Sequence, residues 1–205
     1  MKITVMGTGR MGSAIATAIA NRTGHTLSVR GSNSKSRSAK GLAQQLKVAV
    51  ATDEDLRTAD AVVLVVPWDA LESAASELKN YRGLVISAVV PWSDGTGPAT
   101  DVGSAAERIA GLIPGAKIAS AFTSVLSMLV RDPGAGEKPS IFVCCDYEAQ
   151  KKQVMNLVQE MGFEPIDSGN LSAARYVEGL GLLVLHLAYT AGYGDRVSFK
   201  VTVFS

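Results

Sequence analysis

The chain has 205 residues, 47% of them hydrophobic, with 20 Lys and Arg against 19 Asp and Glu and a formal net charge of +1. That length buries one ordinary core, or one domain with a modest appendage, and the near-zero charge argues against a chain built as a whole to hold nucleic acid. No uninterrupted apolar run reaches the roughly 18 residues of a membrane span, and MKITVMGTG carries no signal-peptide pattern, so the expectation is a soluble cytoplasmic protein without membrane contact.

Residues 2–6, KITVM, read as a short apolar strand, followed by GTGRMG and the helical SAIATAIANR. HTLSVR is a second strand ending at Gly31-Ser32, SKSRSAKGLAQQL a polar-faced helix, KVAVA a third strand, and DEDLRTA a short helix opened by acids. The continuous Val/Leu run of ADAVVLVVP predicts a strand buried on both faces, WDALESAASELK the helix after it, and GLVISAVVP another buried strand. WSDGTGPATDVGS reads as a loop, SAAERIAGLI as a helix, AKIASAF as a strand, TSVLSMLV as the opening of a helix and RDPGAGEKP as a surface loop. IFVCC is a strand, YEAQKKQVMNLVQEM an amphipathic helix and FEPIDSG a last strand and turn. NLSAARYVEGLGLLVLHLAY predicts an apolar C-terminal helix whose surface must be covered, in part by a second subunit; the alternating tail after it is an edge strand or a loosely held end. Strand and helix alternating at this pace give an α/β, Rossmann-type, doubly wound, mainly parallel sheet with a small C-terminal helical extension. The expected division is an NADP-binding domain over residues 1–168 and a helix and tail over 169–205 that complete the cleft and supply a dimer contact.

Gly7-Thr8-Gly9-Arg10-Met11-Gly12 fits GxGxxG in the context that gives the motif meaning, after a strand and at the start of a helix. Gly7 permits the tight turn, Gly9 lets backbone N–H groups approach a pyrophosphate, and Gly12 lets helix and strand pack. The helix N-terminus adds the positive end of its dipole.

Charge is unevenly spread. Residues 1–52 hold eight of the 20 bases and none of the 19 acids, so twelve bases face nineteen acids in the remainder. These early cations interleave with a glycine motif and lack aromatics for base stacking, which suits a small polyanion better than a nucleic acid. Where a dinucleotide site for NAD places an acid on the ribose 2′-hydroxyl, this chain has Arg30-Gly31-Ser32-Asn33-Ser34-Lys35-Ser36-Arg37. Nothing in that window repels a phosphate dianion, and its cations and hydroxyls would hold one by charge-assisted hydrogen bonds of roughly 1.5–3 kcal/mol each. The window is built for NADP(H), with Ser34 or Ser36 also able to cap the following helix.

Candidates for acid–base chemistry are few. His25 is expected as a solvated imidazole in a turn, and His186 as a buried structural residue within LLVLHLAY. Cys144 and Cys145 are adjacent in a strand, face opposite ways and suit neither a mutual disulfide nor a metal site. Too little chain follows Asp167 for a helical substrate domain, so the acceptor is expected to dock on the dinucleotide domain itself, as a flat redox cofactor would. VVPWDA (65–70) and VVPWSD (89–94) both place Pro-Trp past a buried strand, and two such ends side by side would line one crevice. Trp68 and Trp92 are then stacking platforms or core caps.

With these residues the chain resembles the NADP oxidoreductases dependent on the deazaflavin coenzyme F-420 and the oxidoreductase domains of the STEAP metalloreductases. The carriers are GTGRMG, Gly31-Ser32, Val66-Pro67-Trp68, Val90-Pro91, Ser104-Ala105-Ala106-Glu107, Ala121-Phe122-Thr123, Val143-Cys144, the run from Lys151-Lys152-Gln153-Val154-Met155 through Pro165 to Leu171, and Gly192-Tyr193-Gly194. The resemblance implies hydride exchange between nicotinamide C4 and deazaflavin C5. It implies that Thr8, Ser32, Asn33 and Arg37 hold the 2′-phosphate, that Val66, Pro67 and Trp68 flank the ribose and nicotinamide, and that Pro91, Trp92, Phe122 and Thr123 belong to the cleft where two rings stack. Two departures stand out: Asn33 where the family has Arg, and Phe122 where deazaflavin reductases have His, the latter being closer to the flavin-linked STEAP branch.

The expected protein is thus an NADP(H)-dependent oxidoreductase with a deazaflavin or flavin co-substrate, acting as a homodimer. The alternative is a reductase of a small organic C=N, C=C or C=O substrate, with Tyr189, Tyr193 or Asp195 as proton donor. A third class, a non-catalytic NADP sensor, predicts binding without turnover.

Overall fold

A computed structural model of the protein describes residues 1–31, 36–93, 97–98 and 103–204. Its elements run β1 (Lys2–Met6), α1 (Arg10–Arg22), β2 (Thr26–Arg30), α2 (Arg37–Leu46), β3 (Ala49–Val50), α3 (Asp53–Thr58) and β4 (Ala61–Leu64). A 3-10 turn at Trp68–Ala70 leads into α4 (Leu71–Glu77), then β5 (Leu84–Ser87), β6 (Trp92–Ser93), β7 (Gly97–Pro98) and α5 (Ala105–Leu112). After β8 (Lys117–Ser120) come α6 (Ser127–Arg131), β9 (Ser140–Cys145), α7 (Glu148–Glu160), β10 (Glu164–Asp167) and, past a 3-10 turn at Leu171–Ala173, α8 (Ala174–Tyr189).

Among the described residues, eight strands form one sheet in the order β10-β9-β8-β5-β4-β1-β2-β3. Neighbours are parallel except β8 and β9, which run antiparallel. Two cores result because alternate residues of each strand point to opposite faces. On one face Ile3, Val5, Val63 and Ile86 meet Ile15 and Ile19 of α1 and Val154 and Leu157 of α7. On the other Met6, Val62, Leu64 and Val85 meet Leu71 and Leu78, Ile109 of α5 and Val177 of α8. Cys145 belongs to the first and Cys144 to the second, as strand parity requires, and burial raises both thiols above their ordinary pKa.

The loop expected over WSDGTGPATDVGS contains a two-residue hairpin, β6 against β7, too short to show alternation. The tail does not form a strand. Its Phe199 carbonyl accepts from the Ser140 N–H at 2.9 Å, and Val197 and Phe199 pack on Leu126, Val184 and Ala188. His25 is not solvated: its Nδ1 lies 3.2 Å from the Met1 amine and its Nε2 3.2 Å from Glu160, the latter an ion-pair distance without hydrogen-bond alignment. His186 is exposed rather than buried, because the buried phase of α8 runs through Val177, Gly181, Val184 and Ala188. The stretch Leu171–Tyr189 is long enough, with mean hydropathy 1.2, to cross a membrane by length and composition, although Arg175, Glu178 and His186 interrupt it and the fold covers one side.

Candidate functional site

The carboxyl ends of β1 and β4 part to opposite sides of the sheet, leaving the crevice where open α/β sheets bind ligands. The glycine turn sits at its mouth. Gly7 adopts φ +118, and a Cβ there would lie 1.8 Å from the Val65 carbonyl oxygen. At Gly12 a Cβ would lie 2.0 Å from the Gly7 carbonyl oxygen. Gly9 is different: a Cβ would meet nothing within 4 Å. Two glycines therefore close the turn, and the third leaves open space over it. Gly9 is also the N-cap of α1, with no side chain to accept from the first-turn amides and no acid in that turn, so these donors are left to an anionic ligand. Arg10 is exposed and Met11 half-buried beside it.

Next to the turn, Thr8 and Ser38 share a 2.7 Å hydroxyl hydrogen bond, and Ser38 meets Ser36 at 2.9 Å. Ser36 is the N-cap of α2, accepting from the Ala39 N–H. Arg37 and Lys40 stand exposed on the first turn of that helix, which carries no acid. Ser32, Asn33, Ser34 and Lys35 lie outside the described residues.

Arg30 corrects the reading of the window as a row of free cations. It is 5% exposed; its guanidinium donates to Glu77 at 2.5 Å and to the Ala51 carbonyl at 3.1 Å, and pairs with Asp53 at 2.7 Å. Burial opposes its charge, but the bonds to Glu77 and Asp53 more than offset this and hold its pKa above the ordinary value. The segment is free of acids along the chain and not in space.

Two cavities adjoin. One, of about 240 Å³, lies over Gly7, Thr8, Gly9 and Gly31 and is walled by Ala70, Ser73, Ala74 and Glu77. The other, of about 270 Å³, runs from Gly9–Gly12 across Ala88 and Val90 to Phe122, Thr123, Leu126, Val184 and Leu185. Both share Gly9, Val65, Val66 and Pro67, so they form one continuous trough. Among the described lining residues of the second cavity, Arg10 is the one ionisable side chain.

Val65, Val66, Pro67 and Val90, from the two Pro-Trp strand ends, thus line one trough, and Phe122 and Thr123, which the resemblance adds, line it with them. Pro91 is buried and Trp92 is 41% exposed, and neither lines either cavity. Trp68, half-buried, packs against the core on the α4 side, which favours the core-cap alternative for it. Tyr189, Tyr193 and Asp195 are exposed and also lie outside the lining. Phe122 holds a left-handed backbone at φ +64 while its ring is 1% exposed. Beside it the hydroxyls of Ser120, Thr123 and Ser124 are buried without a partner among the described residues. Sequence reasoning passed over Ser38, which follows directly on the basic window, and Ser73, Glu77, Val184 and Leu185, which carry no local signal at all.

The model of a family described as NADP oxidoreductase, coenzyme F420-dependent, matches residues 2–91. The chain is 27% identical over 219 residues to an F420-dependent NADP reductase of Methanocaldococcus jannaschii, covering 97% of this chain and 98% of that one. Metalloreductase STEAP3 of Rattus norvegicus is 30% identical over 82 residues, which are 40% of this chain and 17% of that protein. A crystal structure described as a candidate F420-dependent NADP reductase of Arthrobacter sp. FB24 superposes with a TM-score of 0.83 at 25% identity, covering 99% of this chain and 100% of that one. The resemblance read from the motifs holds along the chain for the first kind of protein and over less than half of it for the second.

Proposed function

We propose that this chain is an NADP-dependent oxidoreductase that exchanges a hydride between nicotinamide and a deazaflavin, coenzyme F-420, or a flavin, docked in the same trough. The glycine turn fits the dinucleotide: Gly9 leaves open the space a pyrophosphate needs, over amides that nothing caps. Gly7, Thr8, Gly9, Arg10, Met11 and Gly12 would hold the pyrophosphate. The 2′-phosphate would meet Thr8, Ser32, Asn33 and Arg37, with Ser38 added by its bond to Thr8. Val66 and Pro67 would flank the ribose and ring. When bound, the dinucleotide supplies or receives the hydride at its nicotinamide ring.

The observation that carries the choice of acceptor is the apolar, nearly charge-free lining of the second cavity. A ring system that accepts hydride directly needs position more than a proton donor, and the walls supply position and exclude water. Thr123 offers a hydroxyl for a ring carbonyl or carboxamide. A small imine or ketone would demand a placed acid, and the tyrosines and the aspartate suggested for that task stand outside the cavity.

We further propose a two-part organisation, residues 1–168 binding NADP and 169–205 completing the cleft, and a cytoplasmic homodimer associating through Tyr176, Leu183 and Tyr189, which α8 leaves 75%, 43% and 61% exposed. Light scattering of the purified chain checks the dimer; a monomer at micromolar concentration rejects it. Stopped-flow mixing of the NADPH-loaded protein with the deazaflavin, FMN and FAD is expected to bleach the nicotinamide absorbance within seconds for at least one. Bleaching by a small imine or ketone alone would reverse the choice of acceptor.

A further inference from the structure

The second cavity has α8 as its outer wall, and α8 is fastened by an unusual residue. Glu178 is 1% exposed, in a helix whose other buried positions are Ala, Val and Gly. Its carboxylate accepts from the backbone N–H of Ala105 at 2.6 Å and of Ala106 at 3.1 Å, the first two residues of α5. Ser104 caps the same end by accepting from the Glu107 N–H at 3.1 Å. Orphan amides at a helix start are thus satisfied in part by a side chain more than seventy residues away. Less than one turn further along α8, Gly181 meets the backbone of Thr123 so closely that a Cβ would lie 2.4 Å from its carbonyl oxygen. Another three residues bring Val184, and then Leu185, into the cavity lining. Positions 178, 181 and 185 share one face of the helix.

We infer that Glu178 is a positioning residue: its buried carboxyl latches α8, and with it the Val184 and Leu185 wall of the cavity, to the amino end of α5, and loss of its proton loosens the latch. The two amides favour the ionised form, which accepts at both oxygens, but a charge buried this deeply costs more than they return, so the closed helix favours the neutral acid and an opened, solvated one the carboxylate. Among the described residues, the groups facing it are Glu107 of α5, itself paired with Arg175 of α8 at 2.5 Å, and the Cys144 thiol of β9, which also feels the Lys151–Asp167 pair. Burial pushes the Glu178 carboxyl up to about 7, against the two amides, with the Glu107 charge adding to the rise. The latch is therefore poised to change within the ordinary working range of a protein.

Its effect on turnover rests on the reductase reading above; the latch itself does not. The test is NMR of the whole chain and of Glu178→Gln, which is neutral, keeps one acceptor and mimics the protonated side chain. In the wild type, the Ala105 and Ala106 amide shifts are expected to follow one titration curve centred near 7, absent from the variant. Protection factors of the Gly181 and Val184 amides, corrected for intrinsic exchange, should fall roughly tenfold as the wild type is made more alkaline through that range, and should stay constant with pH in the variant. The folded state binds this proton more tightly than the unfolded chain, so wild-type stability loses a contribution as pH rises from the ordinary carboxyl value through about 7, a slope that Glu178→Gln lacks. Flat amide shifts overturn the proposal, and so do shifts that titrate while α8 protection stays constant. A titrating, loosening α8 in a protein that reduces no acceptor would sink the reductase reading and leave the latch standing.

Discussion

The two ends of the trough are built differently. The polar end draws its anion-binding groups from two short stretches, the turn from Gly7 to Gly12 and the start of α2 from Ser36 to Lys40, with the 3-10 turn and α4 as its far wall. The apolar end gathers Ala88 and Val90 after β5, Phe122 to Leu126 after β8, and Val184 and Leu185 from α8, across nearly a hundred residues. One end recognises by backbone amides and charge, which a short motif specifies. The other recognises by shape, which exists only once the sheet is assembled. Binding of the dinucleotide and choice of its reaction partner are therefore separable properties of this chain.

The largest effect that would break this division lies within the glycine turn. Gly7→Ala forces a Cβ into the Val65 carbonyl at a positive φ and should destabilise the fold by roughly 2–4 kcal/mol in urea titration. Gly9→Ala has open space and should leave stability within about 0.5 kcal/mol while weakening NADPH at least tenfold. Equal losses of stability in both would show that the turn is packing alone. A smaller effect, roughly tenfold or more on NADPH with NADH unchanged, is expected of Arg37→Ala by calorimetry, since Arg37 is an exposed cation at the first position of α2. Smallest is Leu185→Ala: several-fold on the acceptor KM in steady-state kinetics, with NADPH affinity unmoved. If both affinities shifted together, the two ends would be one site and the comparison would fail.

Much of the polar end is legible in the linear chain because its chemistry is local. Ser36 caps α2, and the glycine spacing predicts which residues close the turn. Arg30 shows the limit of that legibility. Its neighbours in sequence include no acid, yet Asp53 and Glu77 reach it from α3 and α4, because β2 ends beside both. A strand's sequence likewise does not state its direction, so IFVCC is readable as a strand while its antiparallel pairing with β8 is not. The histidines fail for a similar reason: His186 sits in an apolar run, but helical phase turns it outward, and His25 sits in a turn that the Met1 amine and Glu160 close over.

The sheet ends on one side in β3, only two residues long, and on the other in β10, where Pro165 has no N–H to give. Short or proline-bearing margins are poor templates for strand addition, which protects an exposed border from fibrous growth. Copies of this chain that meet in a crowded solution have little incentive to zip edge to edge, and are left to touch through their helical flanks.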